Sequence, residues 1–476
     1  MPGPSAVTPG PQQKVGDPVT AQKPENWTAE LSDAFRAYQA DRRIEEVECI
    51  IPDIVGMSRG KAMPSHKFSP DLSFYLPVSL FYQTVTGEYV DIEELENQWM
   101  EADIVLRPDM KTASAVPWAD DATLQVICDL ETRDGAPVGY APRNVLRRVL
   151  SFYAAEGWTP VVAPELEFYL TKPNVDPNEP IEPPIGRTGR RGASRQAYSM
   201  VAVDEYGPVI DTIYDYAEAQ GLPIDTVIQE GGAGQIEINL LHGDPLKLAD
   251  QVFFFKRAIR EAALKNGTFA TFMAKPMRDE PGSAMHIHQS VLNATTGSNI
   301  FSDENGEPTD AFYHFIGGSQ THLRNVVPLF APYVNSFRRY RHAEAAPTNL
   351  EWGEDNRTTG LRIPHSAPIA RRVENRVTGI DANPYLAIAA SLACGFLGLK
   401  NKIKARAPAK GEVYHEGDTL PFHLDDALDL FAEAKEVRAL LGEEFCKLYE
   451  AIKHEELNEF HAEVSPWERE HLLLNV

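Results

Sequence analysis

The sequence predicts an α+β protein whose central feature is a curved sheet with a charged, concave face. Charged or metal-binding side chains stand at every second position in five short segments, with apolar or small residues between them. Residues i and i+2 of a strand share one face, so each segment turns a row of such groups to the same side. Soluble proteins seldom bury these groups unless they are paired or bind a metal, which predicts a large metal-containing active site. The segments are Glu165–Glu167, Gln235–Glu237, His286–His288, Arg372–Arg376 and, more loosely, Arg357–Arg362.

The first part of the chain is predicted to form a compact β-rich unit. Residues 1–25 are rich in Pro, Gly and Gln, a composition typical of a disordered tail. A helix near Trp27–Asp41 is expected to lead into the unit. Its predicted strands are Val47–Asp53, the stretch after Arg59-Gly60-Lys61, Tyr89–Ile92 and Leu124–Leu130.

In the second part, helices are expected to alternate with the charged strands. Gly, Pro and Asp cluster between residues 130 and 142, which places a boundary between one domain at 26–135 and another at 136–476. Two of the helices begin at a proline preceded by Gly or Asp, as helix starts often do. The predicted helices are Arg143–Glu156, Pro208–Gln220, Pro245–Asn266, Ala311–Val327 and Pro384–Leu397, followed by a helical tail over Leu424–Leu474.

Composition restricts the classes of partner. The 476 residues include 45 Lys and Arg against 69 Asp and Glu, a net charge of −24, which argues against nucleic acid as a general partner. The four cysteines are widely spaced and form no Cys-x-x-Cys motif, as in a cytoplasmic protein with reduced thiols. No apolar run reaches ~18 residues, so neither a membrane span nor a membrane partner is expected. The N-terminus lacks the layout of a signal peptide.

Six motifs, in order along the chain, resemble those of the glutamine synthetase superfamily. Each motif alone is weak, but their common order and spacing are specific. The resemblance implies a small N-terminal β-grasp domain and a larger catalytic domain with a curved antiparallel sheet flanked by helices. It also implies a homo-oligomer, a dodecamer of two stacked hexameric rings with active sites between subunits. The motifs are Pro164–Phe168, Gly234–Glu237, Lys275-Pro276 with Gly282–His288, Asn335–Arg339, Asn356–Pro364, and Arg372–Arg376 with Asn383–Leu386.

The family activates glutamate with ATP as a γ-glutamyl phosphate, which an amine nitrogen then attacks. Hard divalent cations such as Mg²⁺ or Mn²⁺ accept carboxylate oxygens and bridge phosphates. The resemblance implies two or more such ions in each active site. One would be held by Glu167, Glu230 and Glu237, and a second, beside the ATP phosphates, by Glu165, His286 and Glu374.

The resemblance also assigns the arginines, whose planar guanidiniums bind carboxylate and phosphate oxygens bidentately. Arg339 would bind the α-carboxylate of glutamate, with Gly282 beside the substrate, and Arg376 would lie near the γ-carboxylate. Arg357 and Arg362 would stabilise the transferred phosphate, and His288 and Ser290 would bind the nucleotide.

The positions where this chain departs from the family pattern are those that bind the attacking amine. Enzymes that use ammonia carry an acid six residues after the glutamate-binding arginine, where this chain has Ala345, with Glu344 one step earlier. Their Asp-Gly-Ser-Ser motif is also absent, and Thr84 stands near the place of its aspartate. Without carboxylates to trap and deprotonate ammonium, a larger, more apolar amine is favoured. Its walls would be Phe81, Tyr82 and Trp352, unless these aromatics are ordinary core residues.

The motifs most resemble the γ-glutamylpolyamine synthetase and γ-glutamyl-monoamide ligase branch. The predicted function is ligation of glutamate to an organic amine in amine catabolism. Thr84 in place of an acid favours a monoamine; a diamine would need an acid at the far end of the pocket. Two alternatives remain open: a glutamine synthetase in which Glu344 replaces the missing acid, and a non-catalytic ring-forming homologue acting as a scaffold. The candidate acids for a diamine are Glu344, Glu351, Glu354 and Asp355.

Overall fold

Two sheets organise the chain, the first within residues 46–131 and the second within residues 158–375. A computed structural model describes residues 27–40, 42–92, 102–192, 195–341, 346–414, 416–417 and 419–476. The predicted tail at residues 1–25 lies outside these ranges. The α+β class predicted from the sequence is confirmed, with curved mixed sheets flanked by helices. The division into domains at residue 135 stays a prediction.

The first sheet has the strand order β2-β1-β6-β4-β3, and β5 pairs with β6. β1 and β6 run parallel, and the other pairs are antiparallel. β6 pairs with β1, β4 and β5, and its residues Thr123–Cys128 are all buried, so this strand lies at the centre of the first sheet. The strands are β1 (Glu46–Pro52), β2 (Ser58–Pro64), β3 (Phe74–Pro77), β4 (Asp103–Pro108), β5 (Ser114–Ala115) and β6 (Thr123–Glu131).

The predicted strand at Tyr89–Ile92 is wrong. Only one bridge forms there, between Tyr89 and Gln83. The intervening Thr84–Gly87 turn closes through hydrogen bonds from the amides of Gly87 and Glu88 to Thr84. The chain on either side of this turn makes too few pairs to form a ladder.

The second sheet carries the charged segments. Its order is β12-β13-β14-β11-β7-β9-β8, and β10 pairs with the end of β7. All its pairs are antiparallel except β12 with β13, so the predicted antiparallel sheet is a mixed one. The strands are β7 (Trp158–Thr171), β8 (Ile224–Gln229), β9 (Gln235–Leu240), β10 (Phe269–Thr271), β11 (Ile287–Asn293), β12 (Trp352–Glu354), β13 (Leu361–Ile363) and β14 (Val373–Asn375).

Helices cover the sheets and form the C-terminal end of the chain. The prolines at two helix starts follow side chains that cap them: Asp244 accepts from the Lys247 amide at 2.9 Å, and Asn383 accepts from the Tyr385 amide at 3.1 Å. The helices are α1 (Asp33–Gln39), α2 (Pro142–Ala155), α3 (Met200–Glu205), α4 (Gly207–Gln220), α5 (Pro245–Lys265), α6 (Asp310–His322), α7 (Val334–Arg341), α8 (Pro384–Asn401), α9 (Leu424–Ala432), α10 (Lys435–Leu441), α11 (Glu443–Ala462) and α12 (Pro466–His471).

The helices predicted from the sequence are confirmed, with differences at their ends. α6 ends at His322, and a 3-10 helix over Leu323–Leu329 follows it, with non-helical backbone angles at Val326. α8 is buried along nearly its whole length, so it packs as a central helix without a polar face. Within the described ranges, none of the helices is both long and apolar enough to span a bilayer.

A buried ion network around Arg143 joins the first sheet to helices α2, α5 and α8. Arg143 on α2 is 4% exposed and donates to Asp250 on α5 at 3.0 and 2.8 Å. The same guanidinium donates to Asp109, after β4, at 2.7 Å, and to Asp129 on β6. Tyr385 on α8 donates its hydroxyl to Asp250 at 2.7 Å. Arg143 therefore balances two acids of the first sheet and one acid of helix α5.

Replacing Arg143 with Met is expected to lower the free energy of unfolding by about 3–5 kcal/mol, because Asp250 would stay buried without its cation. Urea denaturation followed by tryptophan fluorescence measures the change. The control is Arg133→Gln, which breaks an exposed ion pair with Asp103 and should cost less than about 1 kcal/mol. Equal stability of the two variants would contradict a central role for the network.

Candidate functional site

The site lies on one face of the second sheet and crosses five neighbouring strands. Glu237 on β9 is paired in register with Glu167 on β7. On the other side of β7, His288 on β11 is opposite Glu374 on β14, and Glu374 is opposite Arg362 on β13. The alternation seen in the sequence therefore becomes a continuous charged surface, because residues in register lie side by side on one face.

This surface forms the floor of a cavity of about 320 Å³. The cavity brings together all six predicted metal ligands, the four predicted catalytic arginines and the glycine assigned to the substrate. Acids and arginines thus face one space, as the sequence predicted. These lining residues are Glu165, Glu167, Glu230, Glu237, His286, Glu374, Arg339, Arg357, Arg362, Arg376 and Gly282.

Three carboxylates crowd one part of the cavity: Glu167, Glu230 and Glu237. Burial and the charge of Glu230 raise the pKa of Glu167 to about 8. Burial and the charges of the neighbouring glutamates raise the pKa of Glu237 to about 9, and burial also raises the pKa of Glu230. No described Lys or Arg lies within ion-pair distance of these three carboxylates. Such a group fits a hard divalent cation, which would neutralise the repulsion.

A second group combines two carboxylates with two imidazoles. Nδ1 of His286 and Nε2 of His288 lie 3.0 and 2.7 Å from the Glu165 carboxylate. Burial alone would raise the pKa of Glu165, but these histidines hold it well below its usual value. Burial likewise opposes ionisation of Glu374, yet Arg376 and the histidines hold its pKa at about 2. Both carboxylates are therefore ionised at neutral pH.

This second group also has the dimensions of a metal site. One ligand atom each from Glu165, His288 and Glu374 lie within 4.8 Å of one another. Burial and the charge of Arg376 lower the pKa of His286 to about 4, so its imidazole is neutral, the form that binds metals. The sequence assigned His286 to the metal and His288 to the nucleotide; the geometry brings both to Glu165.

The arginines are held in place by protein acceptors that do not use all their donors. Arg362 and Arg376 bind the two oxygens of Glu374 at 2.8 and 2.5 Å, and the Nε atom of each is buried without a partner among the described residues. Arg339 is 4% exposed and donates to the carbonyls of Val377 at 2.7 Å and Arg376 at 3.0 Å. A guanidinium has five N–H donors, so these contacts fix its orientation and leave others unused.

Two details of the backbone shape this half of the cavity. Arg357 lies in the turn between β12 and β13, not on a strand, because only Leu361–Ile363 of the predicted segment is extended. A Cβ atom at Gly282 would lie 2.6 Å from Cγ of Arg339 and 2.9 Å from the carbonyl of Ala274. Position 282 must therefore be glycine for Arg339 to approach the loop this closely.

Several predicted site residues lie elsewhere in this chain. Phe81 and Tyr82 are buried beside Tyr140, with ring centroids 5.6 and 6.4 Å away. Trp352 is buried between Phe312 and Tyr313 and donates its indole N–H to the carbonyl of Arg406. None of the three aromatic residues predicted to wall the amine lines the cavity, and that role stays a prediction.

Four further predicted positions, Ser290, Glu351, Glu354 and Asp355, are also outside the cavity lining. Ser290 follows His288 on β11, Glu351 is paired with Arg406 at 2.9 Å, and Asp355 with Arg362 at 2.6 Å. Glu354 is exposed on β12. Glu344 lies outside the described residues.

Thr84 lies at a turn that helix α11 holds in place. Glu456 accepts from the amide of Val85 at 2.8 Å, and Glu459 accepts from the hydroxyl of Thr86 at 2.6 Å. Lys453, fully buried, donates to Glu456 at 2.7 Å. The turn is therefore tied to the C-terminal part of the same chain.

Among the lining residues that the sequence prediction missed, Tyr198 and Asn239 carry polar side chains. Asn239 donates to Glu237 at 3.0 Å, and its Oδ1 is buried without a partner among the described residues. It continues the alternation of Gln235 and Glu237, so extending that pattern by two residues would have found it. Tyr198 reaches the cavity from a loop, at a positive φ of 64°, and no periodic signal precedes it.

Comparison with known proteins agrees with this geometry. The profile "Glutamine synthetase, catalytic domain" matches residues 139–472. Gamma-glutamylputrescine synthetase PuuA of Escherichia coli is 36% identical over 435 residues, covering 90% of this chain and 92% of that protein. Glutamate–isopropylamine ligase of a Pseudomonas species is 33% identical over 449 residues, covering 91% and 96%. A solved structure described as apo GmaS without ligand matches with a TM-score of 0.76 at 26% identity, over 93% of this chain and 99% of that chain. The chain belongs to the glutamine synthetase family.

Proposed function

We propose that this protein is an ATP-dependent ligase that joins the γ-carboxylate of glutamate to an organic amine. A carboxylate oxygen attacks the γ-phosphorus of ATP, and ADP leaves. The amine nitrogen then attacks the acyl carbon, phosphate leaves, and the nitrogen loses a proton. The observation that carries the proposal is the single cavity in which a carboxylate group faces arginines with unused donors.

The donor set supports Mg²⁺ or Mn²⁺ as the metal. Carboxylate oxygens with one or two imidazoles suit hard divalent cations. We assign Glu167, Glu230 and Glu237 to one ion, and Glu165, Glu374 and His286 to another, with His288 as a further candidate ligand. When bound, such ions would neutralise charge on the phosphates and orient them.

The arginines would bind the two anionic substrates. Arg339 is positioned by main-chain carbonyls and would bind the α-carboxylate of glutamate with its unused donors. Arg357 and Arg362 would stabilise the phosphoryl group in transfer, where charge spreads over its oxygens. Arg376 would lie beside the γ-carboxylate, because it is fixed by Glu374 next to Arg339.

An organic amine is preferred over ammonium for two reasons. The acids that trap ammonium in glutamine synthetases have no counterpart at Thr84 or Ala345. Two of the relatives are named for ligation to putrescine and isopropylamine. Because Phe81, Tyr82 and Thr84 do not line this cavity, their contribution would come from a neighbouring subunit of a ring-shaped homo-oligomer. Blocking the amine nitrogen in this way would serve amine catabolism.

Phosphate release with ATP, glutamate and Mg²⁺ or Mn²⁺ should be fastest with an organic amine. The panel is ammonium, ethylamine, isopropylamine, ethanolamine, benzylamine, putrescine and spermidine, with products identified by mass. Burial of two or three CH₂ groups at ~0.8 kcal/mol each predicts a kcat/KM advantage of about tenfold or more over ammonium. Preference for ammonium would indicate a glutamine synthetase. Amine binding without phosphate release would indicate a non-catalytic ring-forming homologue.

Metal binding should depend on the carboxylate group. Glu237→Gln is expected to weaken Mn²⁺ binding by about tenfold or more, measured by calorimetric titration of chelator-treated protein, because one anionic ligand is lost. Glu218→Gln, an exposed position on α4, is the matched control and should bind Mn²⁺ as the unaltered chain does. Identical titrations for the two variants would remove Glu237 from the site.

Arg339 should determine glutamate affinity. Arg339→Gln is expected to raise the KM for glutamate by about tenfold or more, since a hydrogen bond to a charged group contributes ~1.5–3 kcal/mol. Arg341→Gln, at an exposed arginine two residues on that does not line the cavity, should leave this KM within about twofold. A KM for ATP that rises in place of the KM for glutamate would reassign Arg339 to the nucleotide.

A further inference from the structure

A second cavity, of about 650 Å³, lies between the turn joining β1 to β2 and helix α5. Val55, Gly56 and Met57 form one side, and Val85 contributes from the turn held by α11. It shares no lining residue with the reaction cavity. Any ligand here would therefore occupy a separate site.

The polar side of this cavity consists of cations on one face of α5: Lys256, Arg257 and Arg260. Arg257 is paired with Glu48, at 3.2 Å for one of its two contacts. No carboxylate of the described residues lies within ion-pair distance of Lys256 or Arg260. Two cations one helical turn apart thus lack a carboxylate at ion-pair distance, in a chain whose net charge is −24, and Asp381 acts on Lys256 only from farther away.

Both of these cations are positioned rather than free in solvent. Nζ of Lys256 donates to the carbonyls of Ile380 and Ala382, which leaves one of its three protons for another acceptor. Arg260 lies over the ring of Phe272, with 4.9 Å from Cζ to the centroid. Burial and the neighbouring Arg260 lower the pKa of Lys256 to about 7, so an anion at this point would stabilise the ammonium form.

Asp381, the acid that lines the cavity, balances only part of this charge: it favours the ammonium form of Lys256 without forming an ion pair with either cation. One oxygen of Asp381 accepts from Ser336 at 2.6 Å, and the other is buried without a hydrogen-bond partner among the described residues. Burial raises the pKa of Asp381, which disfavours its charged form. The rest of the wall is mainly apolar and aromatic, with Phe253, Phe272, Met57, Met273 and Tyr333, and includes the polar residues Ser58, Thr271 and Asn335.

We propose that this cavity binds a small organic anion. Its phosphate or carboxylate group would lie between Lys256 and Arg260, and its apolar or aromatic body would pack against Phe253 and Phe272. Arg260 presents a planar donor set to such an oxyanion, and Lys256 adds a second charge. The ring of Phe272 orients both cations toward the same space.

Ligand titration of the full-length protein tests this site, with the reaction cavity saturated by ADP, glutamate and Mg²⁺. The probes are phenyl phosphate and phenylacetate, which separate phosphate from carboxylate, and neutral benzyl alcohol; heat of binding is the readout and needs no turnover. We expect at least one anion to bind with a Kd at least tenfold below that of benzyl alcohol. Arg260→Gln should weaken that binding by about tenfold, and Lys256→Gln by a similar factor.

Lys247→Gln, an exposed position on the same helix outside the cavity, is the matched control and should leave the Kd unchanged. The exposed Arg260 can be replaced without opening the core, and thermal unfolding checks that each variant is folded. Binding of neither anion, or unaltered binding by Arg260→Gln, would overturn the proposal. A third result would also overturn it: the unaltered chain binds no anion, and Arg260→Gln no longer assembles into an oligomer. An acid of a second copy would then be the partner of these cations.

Discussion

Repulsion among carboxylates held on one face of the second sheet is the constraint on which the functional architecture depends. β7 and β9 place Glu167 and Glu237 directly opposite each other, and Glu230 follows the end of β8. Like charges in that position destabilise a sheet unless something compensates them. The packing of the apolar residues on the opposite face, such as Leu166, Phe168, Ile236 and Ile238, holds the strands in this register. The sheet therefore holds carboxylates whose repulsion a bound cation would relieve.

At Glu374, two strands away from β7, the charge of the carboxylate on this surface is balanced differently. Beyond β11 the compensation comes from the protein itself, because Arg362 and Arg376 bind the two Glu374 oxygens. The carboxylate is ionised there, whereas burial and mutual repulsion favour protonation of Glu237 and Glu167 in the chain alone. One end of the cavity therefore attracts cations, and the other presents oriented donors to anions. A phosphate that bridges the two ends fits both.

The period-two alternation predicted the strands around Glu165, Glu237 and Glu374, because it reflects a local property of extended backbone. It could not locate Arg357 or Tyr198, which reach the cavity from turns, where side-chain direction depends on φ and ψ and not on a repeat. It could not decide between the two interpretations of Trp352 either, since the choice between a core and a pocket wall depends on which distant rings pack nearby. The alternation could not predict the network around Arg143 either, because its acids at positions 109, 129 and 250 meet only when helices α2 and α5 pack against the first sheet. The local sequence pattern thus predicts strands and the face on which each side chain lies. Contacts between residues distant in the chain depend on the tertiary fold.

The hydrogen bonds between α11 and the turn at Thr84 affect the order in which the protein folds. Val85 and Glu456 are 371 residues apart in the chain, and Thr86 and Glu459 are 373 apart. During synthesis from the N-terminus, the turn emerges long before its acceptors exist. The first sheet can form early from its own strands, but this turn reaches its final contacts only after the ribosome has made nearly all of the chain. A nascent chain stalled before α11 would therefore expose the turn, together with the second cavity to which Val85 contributes, to proteases and chaperones.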